Sequence, residues 1–275
     1  MKENIFSLIA GPCVLENEDT AFFIAKKLKQ ICVRNDINLI FKASFDKANR
    51  TSYNSFRGLG LNNARSIFSN IKNELNLKIL TDVHEINQIE KLYDVIDAFQ
   101  IPAFLCRQTD LIFAVVDSIK NSNKKINIKK GQFLSPLDMK NVIDKVVSRG
   151  LEPKSQRIWI TERGNCFGHN DLIVDFRGLY QMKKFECPIF FDATHSVQKP
   201  GGKGSSSDGC REFIEPLSRA AFASGVNGLF LEVHPNPEKA LSDGPNSLPL
   251  EKVELLLQNL ISVSYTHLTL PTRRF

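Results

Sequence analysis

Short, nearly continuous apolar runs alternate along the chain with longer stretches in which apolar residues recur every three to four positions. A strand buried on both faces loses the in–out alternation of a half-solvated one, and the longer recurrence marks a helix with one buried face. On this basis strands are predicted over 5–10, 39–45, 77–83, 98–103, 126–133, 157–161, 188–193 and 228–233. Helices are predicted over 20–33, 63–75, 85–93, 109–120, 139–148, 174–183, 211–224 and 249–260. In the first helix Phe23, Ala25, Leu28 and Ile31 are set among Lys26, Lys27 and Lys29. The helix over 174–183 carries the weakest periodicity.

A strand followed each time by a helix implies parallel pairing through crossover helices. Eight such units in about 260 residues predict a (β/α)8 TIM barrel, an α/β fold of a single domain over 1–263. An open doubly wound sheet is the alternative. The tail 264–275, SYTHLTLPTRRF, is rich in threonine, lacks a helical period and follows a helix already complete. It reads as a frayed end or a foreign appendage and carries no weight in the fold.

Composition narrows the class. The net charge is +6, but no Lys/Arg run exceeds a pair, which argues against a nucleic-acid patch; the scattered charge fits phosphorylated substrates and fits a plain solvated surface best. No stretch approaches the roughly 20 apolar residues of a membrane span, so no membrane partner is expected. The six cysteines are widely spaced without a C-x-x-C pair and read as reduced thiols of a cytoplasmic protein.

Barrel chemistry gathers where strands end and the following loops begin. Every predicted strand ends in polar or ionisable residues. Lys42, Lys47 and Arg50 follow the second strand, Lys129 or Lys130 the fifth, and Arg163 the sixth. So many cations in one mouth repel each other unless an anion joins them, and phosphate or carboxylate is the natural guest. Cys13, His195, Glu232 and Asp243 together suit zinc or ferrous iron, although Cys13 alone reads first as a small buried hydrophobe and His195 alone as a core histidine or general base. The glycine-rich stretch 201–207 is either a lid or an ordinary solvated loop.

At these positions the chain resembles the 3-deoxy-D-manno-octulosonate 8-phosphate synthases. The matching segments are IAGPCVLE, FKASFDKANRTS, FRGLGL, LTDVHE, QIPAFLCRQTDL, NIKKGQF, TERGNCFGHNDLIVDFRGL, FDATHSVQKPGG and FLEVHPNPEKALSDGPNSLPL, in order from about residue 8 to 262. FDKANR and QIPAFLCRQTDL are the specific ones; GPC and DATHS are shared with related phosphoenolpyruvate-dependent synthases.

The resemblance implies condensation of phosphoenolpyruvate with D-arabinose 5-phosphate and water in lipopolysaccharide synthesis, by a homotetramer of TIM barrels. It implies that Lys42, Ser44, Lys47, Gln100, Lys129, Gln132 and Arg163 surround phosphoenolpyruvate. Asn49, Arg50 and Thr51 would hold the arabinose phosphate, Asp82 the sugar, and Arg107 would reach in from a neighbouring subunit. Lys47, Asn49, His195 and Asp243 would carry the catalysis. The family divides at the residue after GP or its equivalent, with cysteine in metal-dependent members and asparagine in the others. Cys13 therefore implies a divalent metal on Cys13, His195, Glu232 and Asp243, zinc or ferrous iron first and manganese as a further candidate. Thr51 stands where serine is common and keeps the hydroxyl. Two rivals are the sister heptulosonate 7-phosphate synthase using erythrose 4-phosphate, in which a K-P-R-T-S segment replaces FDKANR, and a non-catalytic barrel that binds phosphorylated metabolites.

Overall fold

The computed structural model describes residues 6–202 and 207–269, with side chains as far as Val263. Eight strands form one parallel sheet: β1 (Ser7–Gly11), β2 (Asn38–Lys42), β3 (Lys78–Asp82), β4 (Ala98–Ile101), β5 (Lys125–Lys129), β6 (Ile158–Glu162), β7 (Ile189–Asp192) and β8 (Gly228–His234). Each strand pairs with the next, and β8 pairs back onto β1, with Ser7 opposite Gly228 and Gly11 opposite Glu232. That last pairing closes a barrel and excludes the open sheet.

The helices are α1 (Glu18–Arg34), α2 (Leu61–Leu75), α3 (Asn87–Leu92), α4 (Thr109–Ile119), α5 (Met139–Ser148), α6 (Phe176–Met182), α7 (Ile214–Ala223) and α8 (Val253–Thr269). Helix α1 shows why such segments fold where they do. Asn17 caps it by accepting from the Thr20 N–H at 2.8 Å, Glu18 and Asp19 face the positive end of its dipole, and Ala21, Ile24, Ala25, Leu28 and Ile31 bury one face. Helix α6 is only seven residues long, in keeping with its weak periodicity. Helix α8 runs past the expected end at 260 as far as Thr269. The rest of the atypical tail, 270–275, lies outside the described residues, as do Ile5 of the first predicted strand and 203–206 of the glycine-rich stretch.

Two apolar layers support the site. Ile9, Ile40, Leu80, Ala98, Trp159, Phe190 and Phe230 fill the barrel interior, while the opposite strand faces pack under the helices. Strand side chains alternate, so the next inward positions toward the C-terminal ends on β2, β3, β4, β7 and β8 are Lys42, Asp82, Gln100, Asp192 and Glu232. The interior therefore turns from hydrocarbon to charge within one pleat.

Gly11 sits at this boundary. A Cβ there would lie 1.9 Å from the Lys42 carbonyl oxygen. Backbone cannot yield as a flexible side chain can, so Gly11→Ala is expected to destabilise the barrel by about 1–3 kcal/mol or more. A melting temperature unchanged in the variant would show that β1 and β2 can part without cost.

Candidate active site

The ends of four strands, β2, β5, β7 and β8, build the centre of the mouth. Lys42 at the end of β2 donates from Nζ to the Cys13 carbonyl at 3.0 Å and to Glu232 Oε1 at 2.9 Å, with both side chains about fully enclosed. Lys47, on the loop beyond β2, lies 3.9 Å from the same Glu232 oxygen. On the other side, Lys129 at the end of β5 donates to Asp192 Oδ2 at 2.5 Å and stands 3.6 Å above the Phe230 ring. Asp192 also accepts from His195 Nδ1 at 2.7 Å. A carboxylate only accepts, so Nδ1 carries a proton, and Nε2 faces Glu232 Oε2 (3.4 Å) and Asp243 Oδ2 (3.8 Å).

The strand parity resolves the lysine pair. Lys129 faces the cluster. Lys130 points the other way, fully buried, with Nζ donating to Asn165 Oδ1 at 2.6 Å and lying 3.5 Å from Glu162.

Cys13 completes the cluster. Its Sγ lies 3.3 Å from Asp243 Oδ2 and 2.9 Å from Ser242 Oγ. The donor atoms of Cys13, Glu232 and Asp243 all fall within 4.8 Å of one another. A tetrahedral ion with bonds of about 2.0–2.3 Å needs donor separations of roughly 3.3–3.8 Å, close to what the His195 contacts give. Glu232 Oε2 is buried with no hydrogen-bond partner. Burial, and then the Glu232 carboxylate, push the Cys13 thiol well above its ordinary value, so the sulfur keeps its proton until positive charge is added. A mixed thiol, imidazole and carboxylate set with one unpaired oxygen fits a divalent cation, which is the charge that would ionise the thiol.

Around this centre stand polar groups with free valence. Ser44 Oγ and Asp82 Oδ1 are buried without partners. Gln100 accepts from Asn127 at 3.0 Å, and Asn127 in turn accepts from Thr161 at 2.6 Å, which orients the Gln100 amide. Arg163 donates to Gln132 Oε1 at 3.3 Å and to Gln198 Oε1 at 3.0 Å. Arg50 donates to the Phe56 carbonyl and to Ser242 Oγ. Asn49 and Thr51 are exposed on the loop after β2, and Arg107 is exposed beyond β4, so none of these three joins the cluster in one chain.

Four groups that carry geometry had no assigned role in the sequence reading: Asp192, His84, Gln198 and Ser242. Asp192 could have been found, being two residues after the inward Phe190. His84 binds Asp82 at 3.0 Å. Gln198 spans from Arg163 to Asp243 Oδ1 at 3.1 Å, a tie across loops that leaves no sequence signal.

The buried carboxylates set an acid limit. Burial alone would raise Asp192, Glu232 and Asp82, but His195 and lysines 129, 42 and 47 hold the first two far down, and the His84 hydrogen bond does so for Asp82. A depressed folded-state value contributes stability that is present above the ordinary carboxylate range and lost as pH falls through it. The melting temperature is expected to hold from neutrality to about pH 5 and then fall steadily. Asp192→Asn should flatten that fall; an equally steep profile would remove Asp192 from the account.

A closed barrel whose catalytic end joins cations, a thiol, an imidazole and carboxylates defines a barrel enzyme. The family model described as the DAHP synthetase I family matches residues 2–267, and the chain belongs to that family. Among curated relatives, the 2-dehydro-3-deoxyphosphooctonate aldolase of Desulfotalea psychrophila is 51% identical over 256 residues, covering 93% of this chain and 89% of that protein. The proteins of the same name from Dechloromonas aromatica and Burkholderia multivorans are each 52% identical, covering 94% of this chain and 91% and 90% of their own length.

Proposed function

We propose that this chain condenses phosphoenolpyruvate with D-arabinose 5-phosphate and water, giving 3-deoxy-D-manno-octulosonate 8-phosphate and inorganic phosphate for lipopolysaccharide synthesis. The observation that carries the reading is the convergence of Lys42, Lys47 and Lys129 on one thiol–imidazole–carboxylate centre, in a chain about half identical to proteins named for this product.

Lys42, Lys47, Lys129 and Arg163, with Ser44, Gln100 and Gln132, hold phosphoenolpyruvate through its phosphate and carboxylate. Asn49, Arg50 and Thr51 take the sugar phosphate, and Asp82 a sugar hydroxyl. The C3 carbon of phosphoenolpyruvate forms the new bond to the aldehyde carbon. Water adds at C2, where positive charge develops, and the hemiketal phosphate then expels phosphate. Fixing both reactants near attack distance removes much of the entropic barrier. His195, oriented by Asp192, and Asp243 exchange a proton with the water or the new hydroxyl.

The chain falls in the metal-dependent class. Cys13, His195, Glu232 and Asp243 would hold a divalent ion, with zinc or ferrous iron preferred over manganese by the thiol and imidazole donors. When bound, that ion supplies Lewis acidity toward an oxygen ligand. The working unit is a cytoplasmic homotetramer of single-domain barrels spanning 1–263. Arg107 then reaches a neighbouring mouth, in keeping with its exposure and with the exposed Phe104, Phe133 and Phe167 on nearby loops. Among the described residues no helix is long and apolar enough to cross a membrane.

The sister reaction on erythrose 4-phosphate is the runner-up, in keeping with the family's description. Product mass separates the two: with both aldose phosphates offered at equal concentration, the eight-carbon acid should dominate. A dominant seven-carbon product would overturn the assignment.

A further inference from the structure

Ser242 stands between Arg50 and Cys13. Its hydroxyl oxygen lies 2.8 Å from Arg50 Nη1 and 2.9 Å from Cys13 Sγ, and the residue is buried. A guanidinium can only donate, so Ser242 Oγ accepts from Arg50. The single hydroxyl proton must then point elsewhere, and the Cys13 sulfur is its neighbour. Cys13 in turn donates to Asp243 Oδ2 at 3.3 Å. Arg50, Ser242, Cys13 and Asp243 thus form a hydrogen-bond chain of one direction, from the sugar-phosphate arm to the metal-binding group.

The segment that carries Ser242 is fixed on both sides. The Leu241 N–H donates to Glu16 Oε1 at 2.8 Å, the Leu241 carbonyl accepts from Arg50 at 3.2 Å, and Asp243 takes a left-handed backbone at φ 49°. The hydroxyl therefore has little freedom except rotation about its own bond.

We propose that Ser242 is a positioning residue that couples the guanidinium of Arg50 to the sulfur of Cys13. The inference rests on the reading of Arg50 as a sugar-phosphate ligand and of Cys13 as a metal ligand. A phosphate that claims Arg50 draws Nη1 away from Ser242, because charge-assisted bonds to phosphate are the stronger ones. Freed from that donor, the hydroxyl rotates and loosens its bond to sulfur. The sulfur then carries more negative charge and becomes a better donor to the ion. By linkage, an ion bound there changes the affinity for the sugar phosphate by the same factor.

Cobalt(II) reports this directly, because its charge-transfer absorption with a thiolate responds to electron density on sulfur. The cobalt-loaded parent, Ser242→Ala and Ser242→Thr proteins would be titrated with arabinose 5-phosphate without phosphoenolpyruvate, so that no turnover occurs. In the parent the band should move to longer wavelength as sugar phosphate binds. In Ser242→Ala it should begin at longer wavelength and stay there, and Ser242→Thr should restore both position and response. A Ser242→Ala band with the parent's position and the parent's response would overturn the coupling while leaving Cys13 as a ligand. Absence of any charge-transfer band in the cobalt-loaded parent would overturn the metal reading on which the coupling depends. Thermal melts of the metal-free proteins, expected to agree within a few degrees, separate either outcome from misfolding.

Discussion

Lys42→Met is expected to cost the fold about 3–5 kcal/mol, because it leaves the Glu232 carboxylate buried without its nearest counter-charge. Both side chains are about 1% exposed, so water cannot make good the loss. Lys47 is 3.9 Å from the same oxygen and compensates only in part. The ammonium also holds the Cys13 carbonyl at 3.0 Å, tying the end of β2 to the loop after β1. The double variant Lys42→Met, Glu232→Leu should recover most of the lost stability without recovering activity, since a buried pair is costly to break but not to replace. Denaturant unfolding of both variants gives the check. Equal stability of Lys42→Met and the parent would mean that Glu232 is discharged or hydrated in the folded protein.

Cys13→Ala should have the opposite signature, a small structural cost and a large catalytic one. The side chain is a small buried group with one weak donor, and its loss leaves the Lys42–Glu232 pair intact. Removing a ligand of a Lewis-acidic ion forfeits several kcal/mol of transition-state stabilisation, equivalent to a rate loss of about 1000-fold or more. The melting temperature should move by only a few degrees. Full activity of Cys13→Ala after complete metal removal would eliminate the metal role. Cys13→Asn is a separate test, because asparagine stands at this place in the metal-independent relatives that the sequence resembles, and partial activity there would be consistent with the account.

The barrel was legible because each strand is buried on both faces and so writes a continuous apolar run bounded by turns. Its strand ends were less so. The second apolar run extends through Phe45 and the fifth through Phe133, whereas the ladders stop at Lys42 and Lys129. Hydrophobicity continues into the loops there, but the hydrogen-bonding ladder ends where the inward residue becomes a charge. The two lysines at 129 and 130 looked equivalent in composition; the two-residue alternation from Lys125 through Asn127 assigns the inward place to Lys129. The apolar period of the last helix ends at 260, yet Pro271 is the first residue in sequence that must stop a helix, and the helix continues to Thr269. The cluster of Cys13, His195, Glu232 and Asp243 was visible only as residues on strand ends and loops. The contacts of Cys13 join residues more than 200 positions apart, and spacing carries nothing at that range. Ser242 and Gln198 were missed for the same reason: each matters through a bond to another loop.

The most direct test is phosphate release from phosphoenolpyruvate with arabinose 5-phosphate, measured on metal-stripped protein and again after a divalent metal is restored to the same sample. The account predicts release that depends on the sugar phosphate, falls to background in the stripped protein and returns with the metal. Release that persists undiminished without metal would contradict the role given to Cys13 and its neighbours, and no release in either state would contradict the reaction itself.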